Sequence, residues 1–169
     1  MYILFSILLA FNFFNELEPR IILGDKVEIL VPSDFEIMSI EAISRKYPSK
    51  NRPTLVFTDG TSSINLAVNH TSNRITNNEL PQALPVFVNQ FENIYPTIQW
   101  YRKEMSVLNG KEFAVMEFIS PSSDSNIYNL MFFTELEGRL LIFSFNCTVE
   151  NQKEWKSKAQ KIMKSTKLL

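Results

Sequence analysis

Ile127-Tyr-Asn-Leu-Met-Phe-Phe-Thr-Glu-Leu-Glu-Gly-Arg-Leu-Leu-Ile-Phe-Ser-Phe-Asn146 sets two apolar runs on either side of Glu137-Gly138. Glycine accepts the positive φ that a tight turn needs, and the flanks are rich in strand-forming Phe, Ile and Tyr, so the stretch reads as a β-hairpin. Within it residues 130–133 and 140–143 are almost continuously apolar. Successive side chains of a strand point to opposite faces, so a continuous run means that both faces are covered. This hairpin therefore belongs at the centre of a sheet with helices on each side.

The same pattern repeats outward. The chain has four glycines, and each separates two strand-like runs: Gly24-Asp25, Asp59-Gly60, Asn109-Gly110 and Glu137-Gly138. Four hairpins predict eight strands, mostly antiparallel. Lys26-Val-Glu-Ile-Leu-Val31 alternates, as a half-covered strand does, and residues 113–116 are continuously apolar. Trp100-Tyr-Arg-Lys-Glu104 is charged enough to be an edge strand, where charges discourage pairing with other chains. Three helices fill the gaps. One follows Ser39 and puts Ile40, Ile43 and Tyr47 on one face. The next opens near Asn77-Asn-Glu79 and carries Leu80, Leu84, Phe87, Phe91 and Ile94, with Pro85 able to delay or kink it. The last starts after Thr148 with Trp155, Ala159, Ile162 and Thr166 along one stripe. The expected fold is α+β, a twisted antiparallel sheet covered by helices on both faces.

Composition bounds the function. The chain has 169 residues, 45% hydrophobic and 21% charged, with a formal net charge of -1. That is a globular balance for one domain and gives no reason to expect nucleic acid as a partner. Tyr2 to Phe14 is apolar apart from Ser6 and Asn12, too short for the ~20 residues that cross a bilayer. It fits an atypical signal peptide, an uncleaved anchor that brings the chain near a membrane, or a helix packed on the domain. We divide the chain into this segment, 1–19, and a domain over 20–169.

Catalytic apparatus is not legible. His70 is the only histidine, so a triad must use it. Ser122, Ser123 and Asp124 offer a nucleophile and an acid but stand in no recognised motif. All glycines are spent on hairpins, which leaves no phosphate-cradling loop. One Cys, Cys147, and one His cannot build a four-ligand zinc site, and nothing in the spacing of Asp59, His70 and Asp124 suggests another metal. No cofactor, no metal and no enzymatic activity are expected. Cys147, in a strand pattern, reads as a small buried hydrophobe. Asn69-His70-Thr71 and Asn146-Cys147-Thr148 match the glycosylation acceptor pattern, which chance supplies readily in so asparagine-rich a chain. The candidate partner-binding residues are His70 at a strand end, Trp100 and Tyr101 pointing to opposite faces, and Lys156 and Lys161 on a basic final helix.

The order of elements resembles the PsbP-like fold. Lys26-Val-Glu-Ile-Leu-Val-Pro-Ser-Asp-Phe35, Pro53-Thr-Leu-Val-Phe-Thr-Asp-Gly60, Ile127-Tyr-Asn-Leu-Met-Phe-Phe-Thr134 and the helix from Trp155 to Lys167 carry the likeness. That fold is shared by an extrinsic photosystem subunit, a eukaryotic Ran-binding transport factor and bacterial envelope proteins related to DcrB. The resemblance implies a binding or assembly factor without common catalytic residues. Together with the apolar stretch at 2–14, read as favouring export, this makes a protein partner and location in the cell envelope or outside the cell the expectation. One similar branch consists of cytosolic adaptor chaperones that shield apolar segments of secreted clients, which is the alternative reading. Fold alone does not decide between them.

Overall fold

The computed structural model of the chain describes residues 16–49 and 52–169. The apolar stretch at 2–14 lies outside the described residues. In chain order the elements are β1 (Leu17–Ile22), β2 (Val27–Pro32), β3 (Glu36–Ile37), α1 (Ile40–Lys46), β4 (Leu55–Thr58), β5 (Asn65–Arg74), a 3-10 turn (Asn77–Glu79), α2 (Leu80–Ile94), β6 (Gln99–Leu108), β7 (Lys111–Ser120), β8 (Ile127–Leu136), β9 (Arg139–Thr148), α3 (Val149–Ser165) and β10 (Lys167–Leu168). Seven strands form one sheet in the order β3-β4-β5-β9-β8-β7-β6, and β1-β2-β10 form a smaller one. Every pairing among the described residues is antiparallel. The eight expected strands are all present, together with the two-residue strands β3 and β10. β1 starts at Leu17, ahead of the expected domain boundary at residue 20.

The β8–β9 hairpin closes at Leu136↔Arg139. Glu137 and Gly138 both take positive φ, 53° and 74°, as the two-residue turn between right-twisting strands requires. Asn109 and Gly110 repeat this between β6 and β7, at 48° and 83°. Gly60 departs from the expectation: it has no positive φ, and the left-handed residue of its turn is Ser62, at 59°. The longer β4–β5 loop is organised instead by Asp59, whose carboxylate accepts the Ile64 N–H at 3.1 Å and the Thr61 hydroxyl.

β9, β8 and β7 are central, and β6 is the edge strand that its charges foretold. Along β7 successive residues join different apolar clusters. Phe113 and Val115 pack with Trp155, Ala159, Ile162 and Met163 of α3 and with Val27, Ile29 and Val31 of β2. Ala114, Met116 and Phe118 pack with Leu80, Leu84 and Val88 of α2. The first cluster carries a ladder of rings, Phe113 to Phe132 at 6.0 Å and Phe132 to Phe143 at 4.8 Å. Each such fully buried side chain is worth about 1.5–3 kcal/mol in removed apolar surface.

Ser39 does cap α1, accepting the Ala42 N–H at 3.2 Å. Ile40, however, is 78% exposed, because α1 covers only a small cluster of Met38, Ile43, Val56 and Ala67. α2 runs through Pro85 unbroken. Its first turn tolerates Pro81, and Thr76 ahead of it donates its backbone N–H to Glu79 at 2.7 Å.

Candidate functional site: a groove beside β5

The sequence-derived candidates do not form one site. β5 runs on to Arg74, so His70 lies inside the strand rather than at its end, with Nε2 3.0 Å from the Leu136 carbonyl and Nδ1 3.2 Å from Arg139 Nη2. A carbonyl can only accept, so these partners assign the proton to Nε2 and leave Nδ1 as acceptor for the guanidinium. Both ring nitrogens are occupied. No hydroxyl or carboxylate of Ser122, Ser123, Asp124 or Asp59 hydrogen-bonds the ring, and among the described residues no three His, Cys, Asp or Glu side chains gather as metal ligands would.

Trp100 and Tyr101 diverge as strand neighbours must. Trp100 packs on Phe118 at 4.9 Å and donates its indole N–H to Glu92 at 2.9 Å, with the Lys103 ammonium 4.9 Å above the ring. Tyr101 turns toward α3, where Lys156 sits 3.7 Å over its ring and Gln152 donates to its hydroxyl at 2.9 Å. A bulge between Trp100 and Arg102 in the pairing with β7 lies at this point. Lys161 is exposed further along α3 and makes no ion pair among the described residues.

Tyr101 and Lys156 belong to a polar cluster that sequence reasoning missed. At its centre Glu117 is only 2% exposed, inside the otherwise apolar Phe113-Ala-Val-Met-Glu-Phe-Ile119. Arg102 Nε stands 2.8 Å from one carboxylate oxygen and Lys156 Nζ 3.3 Å from the other. The Arg102 N–H does not align with the oxygen, so that contact is an ion pair rather than a hydrogen bond. The Tyr128 hydroxyl donates to Glu117 at 2.9 Å, and Gln160 approaches both oxygens at 3.4 Å. Burial, with the Glu117 charge second, holds the Tyr128 phenol protonated far above its ordinary range. A buried carboxylate with two cations and a phenol is satisfied. Its effect is to tie α3 to the β6–β7 edge. The legible signal was a lone carboxylate in a continuous apolar strand, which must find a partner. Cys147, behind Tyr128, is buried and its thiol is pushed up to about 12 by burial, which makes it inert.

Open surface lies elsewhere. β5 pairs with β4 only as far as Leu55↔Val68 but continues to Arg74. Past that point the Thr54 hydroxyl accepts the His70 N–H at 3.1 Å. Beside this overhang is a hollow of about 590 Å³, between Arg52 and Thr54 on one side and Val86, Phe87 and Gln90 of α2 on the other, with Leu140 and Ile142 beneath. A second hollow of about 360 Å³ shares Val86 and Phe87 and extends the groove to Arg74, Glu79 and Gln82. Val86 is 55% exposed in the middle. A separate apolar cleft of about 440 Å³ lies between β1 and β3–β4, with exposed Ile21 and Ile37 on its rim.

Element order and sheet topology define the class: the chain has the PsbP-like fold. In particular it is similar to cyanobacterial PsbP from Synechocystis, with a TM-score of 0.65, 16% identity and coverage of 92% of this chain and 94% of that one. The Ran-binding protein Mog1p of Saccharomyces cerevisiae matches at a TM-score of 0.58 and 8% identity, over 90% and 95% of the two chains. LpqN of Mycobacterium tuberculosis, involved in cell envelope biogenesis, matches at 0.56 and 11%, over 90% of each. No protein-family description and no curated protein matches the sequence.

Proposed function

We propose that this chain is a non-enzymatic binding or assembly module, working with a protein partner in the bacterial cell envelope. In this reading its large sheet is the middle layer of an α/β/α sandwich, and the groove between the β5 overhang and α2 is the partner-binding surface. Assignment of alternate β7 residues to the α3 and α2 clusters supports the layering. One observation carries the function. The hollow of about 590 Å³ sets apolar Leu140 and Ile142 beside polar Thr54, Thr71 and Gln90, while the single histidine that lines it has both nitrogens committed to structural partners. A Ran-binding protein and an envelope biogenesis protein of the same fold favour protein binding and the envelope.

The apolar cleft rimmed by Ile21 and Ile37 favours a second reading, an adaptor chaperone of the cytoplasm that shields apolar client segments. The test is cross-linked purification of the full chain from its native host, comparing wild type with Val86→Arg and Ile37→Arg. Both positions are exposed, so each variant should fold. The groove reading expects Val86→Arg to lower partner recovery by about tenfold, roughly 1.4 kcal/mol, with Ile37→Arg unchanged. The reverse pattern would install the chaperone reading in its place.

A further inference from the structure

The geometry points to the chemistry of the groove's occupant: an extended, acidic peptide segment of a partner protein that adds as a strand along the free edge of β5. This rests on the groove being the binding surface. The hollow is lined by five consecutive residues, Asn69 through Asn73. Alternate side chains of a strand face opposite ways, so a hollow touching consecutive residues runs along the strand's edge and sees its backbone. On the β4 side, Thr54 still caps the edge, donating its N–H to the Val68 carbonyl at 2.8 Å and accepting the His70 N–H at 3.1 Å, and β5 has no strand partner on that side from Thr71 to Arg74. The register against β9 breaks between His70 and Arg74.

Local groups absorb part of the break. Asn73 donates its N–H to the Thr71 hydroxyl at 3.1 Å, and that hydroxyl donates to the Leu140 carbonyl at 3.1 Å. Ser72, inside this stretch, is exposed. An unpaired strand edge is a template for one more strand, with main-chain hydrogen bonds supplying affinity and side-chain pockets supplying selectivity.

Charge selects the occupant. Arg52 and Arg74 stand at opposite ends of the groove, both exposed, and neither forms an ion pair among the described residues. Arg52 is held by neutral groups, with Nη1 donating to Ser44 at 2.8 Å and Nε to the Tyr47 and Ser49 carbonyls at 3.1 and 3.2 Å. The one carboxylate on the rim, Glu79, is already engaged by the Thr76 N–H and hydroxyl, each at 2.7 Å. A strand whose carboxylates reach these two guanidinium groups, with apolar residues over Val86 and Phe87, satisfies both the charge and the apolar floor.

The experiment is amide NMR of the full chain titrated with three octapeptides that alternate Val with Glu, Lys or Ser. The Val-Glu peptide is expected to shift the amides of 69–74 and 86–90, to weaken with added salt, and to lose about tenfold in affinity when Arg52→Ala and Arg74→Ala are combined. The Val-Lys peptide should leave those amides in place. Equal binding of the Val-Ser peptide would overturn the acidic selectivity, and shifts confined to the exposed lysines of α3 would overturn the site. If no peptide moves the β5 amides while Val86→Arg still releases the cellular partner, the acidic strand is wrong and the groove reading survives.

Discussion

Glu117 shows what a single residue decides in this molecule. A carboxylate 2% exposed is tolerable only because Arg102, Lys156 and the Tyr128 hydroxyl answer it. Glu117→Gln keeps the shape but leaves two cations facing a neutral amide. Those cations are partly solvated, at 25% and 36% exposure, so the cost should sit below that of a fully buried broken pair. We expect a loss of about 2–3 kcal/mol, read as a lower urea midpoint with unchanged slope. An unchanged midpoint would mean that the cluster is ornamental.

Glu135 gives the pH dependence. Burial works against its charge, but the Gly138 N–H at 2.6 Å and the Lys111 ammonium at 3.0 Å outweigh it and hold the carboxyl below the ordinary range. A folded-state value below the unfolded one means stability that is present above about pH 4.3 and lost as pH falls through the folded value. Wild type should therefore exceed Glu135→Gln in stability at pH 7, with the gap narrowing as pH falls below about 4. A gap that stays constant with pH would contradict the assignment.

At the scale of elements, most of the fold was legible because turn chemistry and strand pattern agreed. Asn109-Gly110 and Glu137-Gly138 are tight turns between long strands, and Ser39 caps α1. Asp59-Gly60 misled, since a side-chain network on Asp59 rather than glycine geometry builds that loop. The two glycines should part company on substitution. A Cβ meets nothing within 4 Å at either, so backbone conformation alone decides. Gly110→Ala, at φ +83°, should cost about 1–2 kcal/mol in thermal unfolding, whereas Gly60→Ala should be nearly neutral. Equal effects would contradict the turn assignment. The candidate site was less legible because its features are not sequence-local. Trp100, Tyr101, Lys156 and Lys161 were notable residue types, yet Trp100 and Tyr101 are bound into structural contacts. The groove arises instead from a mismatch in length between β4 and β5, which no residue type announces.

For the whole molecule, the two larger helices pack on the sheet through separate apolar clusters, and a β5 overhang beside α2 is left without a strand partner on its outer edge among the described residues. No described helix is long and apolar enough to cross a membrane. On the proposed reading this overhang, rather than the basic face of α3, meets the partner. The decisive experiment places a photo-cross-linking residue at position 72 or at position 161 in the full chain and irradiates cells of the native host. A discrete protein adduct is expected from position 72 and none from position 161. An adduct from position 161 with none from position 72 would move the interface to α3 and contradict that reading.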